Sequence, residues 1–186
     1  MGKFPIFFLL LGIAALAAAL FGALHNQLSY TMGPTYFTAF KFDQFQIADG
    51  TPPRLGAAYV GVMASWWMGP IIGLPAFLYG LFAVPSARTY FAAGCGAVFT
   101  VIFLATFGAL AGLIGGLVAD TTGLLDPYLN FRDGPTRSDF LRAGFMHDAS
   151  YLAGALGLIA AVFPIRRGRK IDLHRAEVRT EGGVSP

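Results

Sequence analysis

Two histidines, two aspartates, two tyrosines and an arginine carry the chemistry that this chain can offer. His147 and Asp148 are adjacent, and Tyr151 follows at four and three residues, so on a helix all three border one patch. His25 opens the phrase HNQLSY at 25–30 and His147 opens HDASY at 147–151, each placing Ser-Tyr shortly after a histidine. The spacing differs by one residue, so the two phrases are not a repeat. Imidazole and carboxylate groups at converging helix ends can bind a divalent metal. Imidazole also titrates close to neutral pH, which suits proton transfer. His25, Asp120, His147 and Asp148 therefore form the candidate metal or acid–base set, with Tyr30, Tyr151 and Arg142 as further polar candidates. No HxxxH, HExxH or ExxH spacing occurs, so any such set must be assembled across separate elements. The simpler structural reading has His25 capping carbonyls at the end of a first helix, and Asp148 pairing with Arg142 or Arg54.

Asp120 ends a long apolar run, where a carboxylate meets the negative end of a helix dipole. It needs compensation from a cation such as Arg54 or Arg142, from a metal, or from a turn in which it caps a following helix. The last requires the fewest assumptions. Asp126-Pro127 reads as an N-cap with a first-turn proline, and Ser138-Asp139 as the cap and acidic first turn of the last span.

The elements that must position these groups follow from composition. Of 186 residues 55% are hydrophobic and 12% charged, with a mean hydropathy of +0.61 and a formal net charge of +3. Average soluble domains carry roughly 25% charged residues, so a soluble enzyme is excluded. A nucleic-acid binder is excluded too, because the few basic residues form no stripe on a polar domain. Cys95 is the single cysteine, which rules out an internal disulfide or a cysteine-based metal site. No P-loop, dinucleotide fingerprint or nucleophile elbow is present.

Four stretches, about 4–24, 55–82, 90–119 and 145–165, are long and apolar enough to cross a hydrocarbon core, which takes about 20 helical residues. The expected fold is an all-α integral membrane protein, a four-transmembrane-helix bundle in one domain over 1–170, with Pro70 and Pro75 kinking the second span. A cleaved leader, with Ala15, Ala17 and Ala19 offering small residues, is the alternative for the first stretch. With the N-terminus inside, the inner side holds Lys3, Arg88, Arg166, Arg167, Arg169, Lys170, Arg175 and Arg179. The outer side holds Lys41, Arg54, Arg132, Arg137 and Arg142. That excess, and RRGRK directly after the fourth span, predicts cytoplasmic termini and two extracytoplasmic loops at about 25–54 and 120–144. The expected location is the inner membrane of a bacterium. The polar tail at 171–186 is expected to be disordered, and its basic start attracts anionic lipid or simply sets topology.

Small residues recur every four positions as Gly61, Ser65, Gly69 and Gly73, as Gly108, Gly112 and Gly116, and as Ala153, Gly157 and Ala161. Such rows let helix backbones approach closely, within the bundle or against a partner. Trp66 and Trp67 fall mid-span, as bulky packing or as one wall of a site for a flat apolar ligand. The segment YFTAFKFDQF at 36–45 suits an interfacial anchor, or a lid over a cavity, and its periodicity fits helix and strand alike. Two functions fit these features. One is an accessory or structural subunit that packs against membrane partners, or itself, through glycine-rich faces and the aromatic loop. The other is a membrane enzyme or metal- or ligand-binding protein with its His/Asp/Tyr site at the outer boundary.

Overall fold

The computed structural model describes residues 2–128 and 135–182, so Arg132, Asp133, Gly183, Ser185 and Pro186 lie outside the described residues. The described residues are helical, in the order α1 (Lys3–Met32), α2 (Pro34–Tyr36), α3 (Phe42–Gln44), α4 (Pro53–Ser65), α5 (Met68–Ala83), α6 (Ala87–Thr122), α7 (Arg137–Asp139), α8 (Phe145–Ala160) and α9 (Val162–Gly182). A π-helical turn, Phe37–Lys41, joins α2 to α3, and a second, Phe140–Gly144, joins α7 to α8. Four helical stretches are long and apolar enough to cross a membrane: Lys3–Met32, Pro53–Ala83, Ala87–Thr122 and Arg137–Thr180.

The second and fourth stretches are each broken once, and proline explains both breaks. Proline has no N–H and its ring clashes with the carbonyl four residues back. Pro70 disrupts the helix at Trp66, where α4 has just ended, and Pro164 disrupts it at Ala160, the last residue of α8. Pro75, by contrast, is carried inside α5. At the first break Trp66 and Trp67 are both about half exposed, 48% and 46%, and neither lines the three pockets described below.

Glycine decides which helices touch. A Cβ on Gly61 would fall on the Gly22 carbonyl of α1, and one on Gly22 would fall on Gly61 in return. Gly69 lies in the same way against the Ala14 carbonyl, so α1 is laid along both α4 and α5. On α6, Gly108 faces Ala149 and Ala153, Gly112 faces the Phe145 carbonyl, and Gly116 faces the Leu141 carbonyl. These rows hold α6 against the fourth stretch, and Gly157 continues the seam against Val101 at 3.1 Å. Gly73 differs from its row, since it makes room for the Phe77 ring of its own helix. The small-residue faces are thus spent inside the bundle.

One end of the bundle closes around Leu10, Phe77, Val84, Tyr90 and Ile165, all fully buried. Tyr90 donates to the Phe77 carbonyl at 3.0 Å, and Lys3 Nζ donates to the carbonyls of Leu81 and Val84 at 2.7 and 2.9 Å. Ser86 caps α6 by accepting from Thr89 N, and Asp172 of α9 accepts from Ser86 N, Ser86 Oγ and Thr89 Oγ1. The sequence predicts disorder from Ile171 onward, whereas the described residues continue the helix to Gly182. The Asp172 anchor is the physical reason, because it ties the first turn of the polar stretch to the bundle. Most other large side chains on the long helices point outward, among them Leu24, Phe82, Phe99 and Ile159.

Gly112→Leu forces side-chain atoms into the Phe145 backbone and is expected to destabilise the folded chain by about 3 kcal/mol, at the upper end of overpacking costs. Gly12→Leu, where nothing lies within 4 Å of the added Cβ, should leave it unchanged. Thermal unfolding in mild detergent, followed by circular dichroism, compares the two.

Candidate functional site

The site forms where α1, α8 and the aromatic segment after α1 converge. His25 is not at a helix end: α1 continues almost two turns beyond it to Met32. The capping role expected for His25 therefore does not arise. Its side chain is buried, and its Nε2 has no hydrogen-bond partner. His147, in the first turn of α8, is also buried, and the two rings meet edge to face with centroids 4.6 Å apart. Ser29, one turn beyond His25 on the same helix face, shares a 3.2 Å hydrogen bond with His147 Nε2. The serine of the first phrase thus serves the histidine of the second, while Ser150 donates to the His147 carbonyl at 2.8 Å. Asn26 Nδ2 donates to the Ala57 carbonyl at 2.9 Å and locks α1 to α4 beside the pair.

The aromatic segment covers this pair. Gly33 and Pro34 stop α1 and start a helical turn, so the expected choice between helix and strand resolves as helix. Tyr36 then stacks on His147 at 5.2 Å and 27°, and Phe37, fully buried, lies 6.0 Å from the same ring. Gly56 leaves room for the Phe42 ring, which brings the segment down onto α4. Asp139 clasps the cover to the fourth stretch by accepting from Thr35 N and Thr35 Oγ1, both at 2.8 Å. Gly33 allows it, because the Asp139 carbonyl sits where its Cβ would be. Burial, then the nearby Tyr151 and Asp148, push the Tyr36 hydroxyl above its ordinary range, so it stays neutral. Burial pulls Lys41 down against the opposing influence of Asp148, and its ammonium reaches Gln44 Oε1 at 2.9 Å and the Phe40 ring at 4.6 Å.

Two spaces adjoin the pair and a third lies beside Phe21 and Tyr151. A pocket of about 20 Å³ is bounded by His25, His147, Lys41, Tyr151 and Phe45. An apolar cavity of about 70 Å³ lies deeper among α1, α5, α6 and α8, with Ser65, Ser150 and Tyr151 at its polar rim. A groove of about 450 Å³ runs between α1 and α6 outside the pair. Phe21, stacked on His25 at 5.5 Å and 21°, borders all three.

The other candidates go elsewhere. Asp120 is compensated by cations, not by capping a following helix. Its carboxylate pairs with Arg137 at 2.7 Å and Arg142 at 2.6 Å and accepts from Ser138 at 2.8 Å. Arg137 also pairs with Asp126 and donates to the carbonyls of Asp120 and Ala119, closing the end of α6. Arg142 is therefore unavailable to Asp148. Arg54 bonds to Gln27 and Thr31 and lies over the Tyr30 ring, so neither expected partner of Asp148 pairs with it. Asp148, next to His147 but about 100° around the helix, is exposed. Tyr30 packs on Phe37, while Tyr151 lies 6.1 Å from His147. Among the described residues no group of three His, Cys, Asp or Glu side chains could hold a metal ion. The cap before α7 is Thr136, not Ser138, and Asp126 opens a single 3-10 turn.

Sequence reasoning missed Ser29, Asn26, Tyr36 and Phe21 as parts of the site. Ser29 carried a signal, since it stands four residues after His25 and so shares its helix face. Tyr36 carried none beyond its place in an aromatic run.

Compared with protein-family models, with curated proteins and with solved structures, the chain has no match.

Removing the Asp120 carboxylate strands Arg137 and Arg142 on half-buried ground. Because both guanidiniums keep some solvent, Asp120→Ala is expected to cost about 2 kcal/mol, less than the loss of a fully buried pair. Asp120→Asn, which keeps hydrogen bonding, should cost less, and detergent unfolding midpoints measure both.

Proposed function

We propose that this chain is a four-span protein of a bacterial inner membrane, with both termini cytoplasmic, that binds a small molecule at His25 and His147 on the outer side. The observation that carries the binding reading is the buried, unpartnered Nε2 of His25, whose ring packs edge to face on a second buried imidazole. A buried polar atom without a partner costs roughly 1–3 kcal/mol, a cost that a ligand hydrogen bond removes. The surroundings support it. Two π turns, a form frequent at functional sites, flank the pair, and the Tyr36 and Phe37 rings pack over His147. Neutral imidazole both donates and accepts hydrogen bonds, so the pair suits binding with proton exchange.

A role as an accessory subunit rests on helix faces open to a partner. The glycine rows pack within the bundle, which leaves that role the outward-facing Phe99, Phe103 and Phe107 of α6. The metal reading has only the two histidines to offer.

Purification in native lipid followed by mass spectrometry tests the proposal. Wild type should retain a small molecule that His25→Ala and His147→Ala lose, and retention of protein partners alone would sink the reading. The topology has its own check, because Cys95 is the single cysteine. In a Cys95→Ala background, Thr51→Cys should react with an impermeant maleimide added outside intact cells. Thr180→Cys should react only after lysis, and the reverse pattern would invert the proposed orientation.

A further inference from the structure

Resting on the small-molecule reading above, we infer that the ligand is a neutral amphiphile with one carbonyl or hydroxyl oxygen, reaching His25 sideways through the α1–α6 groove. The helices α1 and α6 touch where Leu10 fills the space beside Gly94. Further along they leave a groove walled by Ala17, Leu20, Leu24 and Leu28 on one side and Ile102, Thr106 and Leu110 on the other. Along α1 this wall spans about 16 Å at 1.5 Å per residue. Leu20, Leu24 and Leu110 are strongly exposed, so the groove opens away from the bundle, toward acyl chains if the helices span a bilayer.

His25 is the titratable side chain in that lining, and Phe21 and His25 together separate the groove from the pocket at His147. The inner pocket, at about 20 Å³, has room for about one water-sized group. One oxygen fits there, and an extended apolar body fits the groove. A hydroxyl satisfies either tautomer of His25, and a carbonyl satisfies the one with hydrogen on Nε2. A charged head is disfavoured, because charge buried without a partner is expensive. The nearest cation, Lys41, is already engaged by Gln44 and the Phe40 ring, with Asp148 acting on it.

The test uses the full chain in nanodiscs with a photoactivatable long-chain ketone, the carboxylic acid of equal length, and a short water-soluble ketone. Thr106→Trp fills the groove from the α6 side and leaves both histidines in the chain, and Phe99→Trp places the same bulk on α6 outside the groove. The long-chain ketone should label the peptide holding Phe21 and His25, and Thr106→Trp should reduce that labelling about tenfold, with Phe99→Trp unchanged. The acid and the short ketone should label weakly. Equal labelling of Thr106→Trp and wild type, or labelling by the acid as strong as by the ketone, would overturn the inference. If native-lipid purification still shows a small molecule lost in His147→Ala, that outcome removes the route or ligand class and spares the site. No retained molecule and no labelling would remove both.

Discussion

Backbone-to-backbone contact at glycine is the constraint on which this structure rests. In a bundle of uniformly apolar helices, burial of hydrophobic surface does not distinguish one neighbour from another. Distance of approach does. Gly22 against Gly61 and Gly112 against the Phe145 carbonyl let two helix pairs come together as no side chain would allow. The histidines are a product of that closeness. His25 lies one turn beyond Gly22 on α1, and His147 lies two residues beyond Phe145, so both seams deliver an imidazole to the same end.

Carboxylates at the ends of helices show how different the demands on one residue type can be. Asp120 sits at the electronegative end of α6 and is held by two guanidiniums and a serine. Asp172 sits across from the other end of α6, where it faces N–H and hydroxyl donors and takes three of them. Each makes the contacts its end of the helix offers. Together they fasten the fourth stretch to both ends of α6.

The four apolar stretches were legible because their hydropathy is strong and local. The glycine rows were legible because they follow a four-residue period, and what they face was not, since a row of small residues looks alike whatever fills it. Helix ends were misjudged wherever polar residues extend a helix beyond its apolar part, as at Asn26 to Met32 and at Ile171 to Gly182. Of the site, the sequence offers His25 and His147 as members of one candidate set near span ends, but the ring contact between them depends on helix packing that spacing does not encode. The dispersal of Asp120 and Asp148 was not legible either, because competition among Arg54, Arg137 and Arg142 is settled by the same packing. Tyr36 over His147 is likewise a long-range contact with no local trace.

Folding also redistributes charge along the bundle. Arg137 and Arg142 are neutralised by Asp120, Arg54 is drawn onto carbonyl and hydroxyl oxygens, and Lys41 is held over aromatic rings. At the opposite end, among the described residues, no carboxylate lies within ion-pair distance of Arg166, Arg167, Arg169 or Lys170. The long axis of the molecule therefore carries a net electrical moment larger than a formal charge of +3 suggests. Its field is one-sided, and in an anionic bilayer it would gather anionic headgroups around the Arg166 to Lys170 rim, while the end over the histidines, where aspartates outnumber cations, would not.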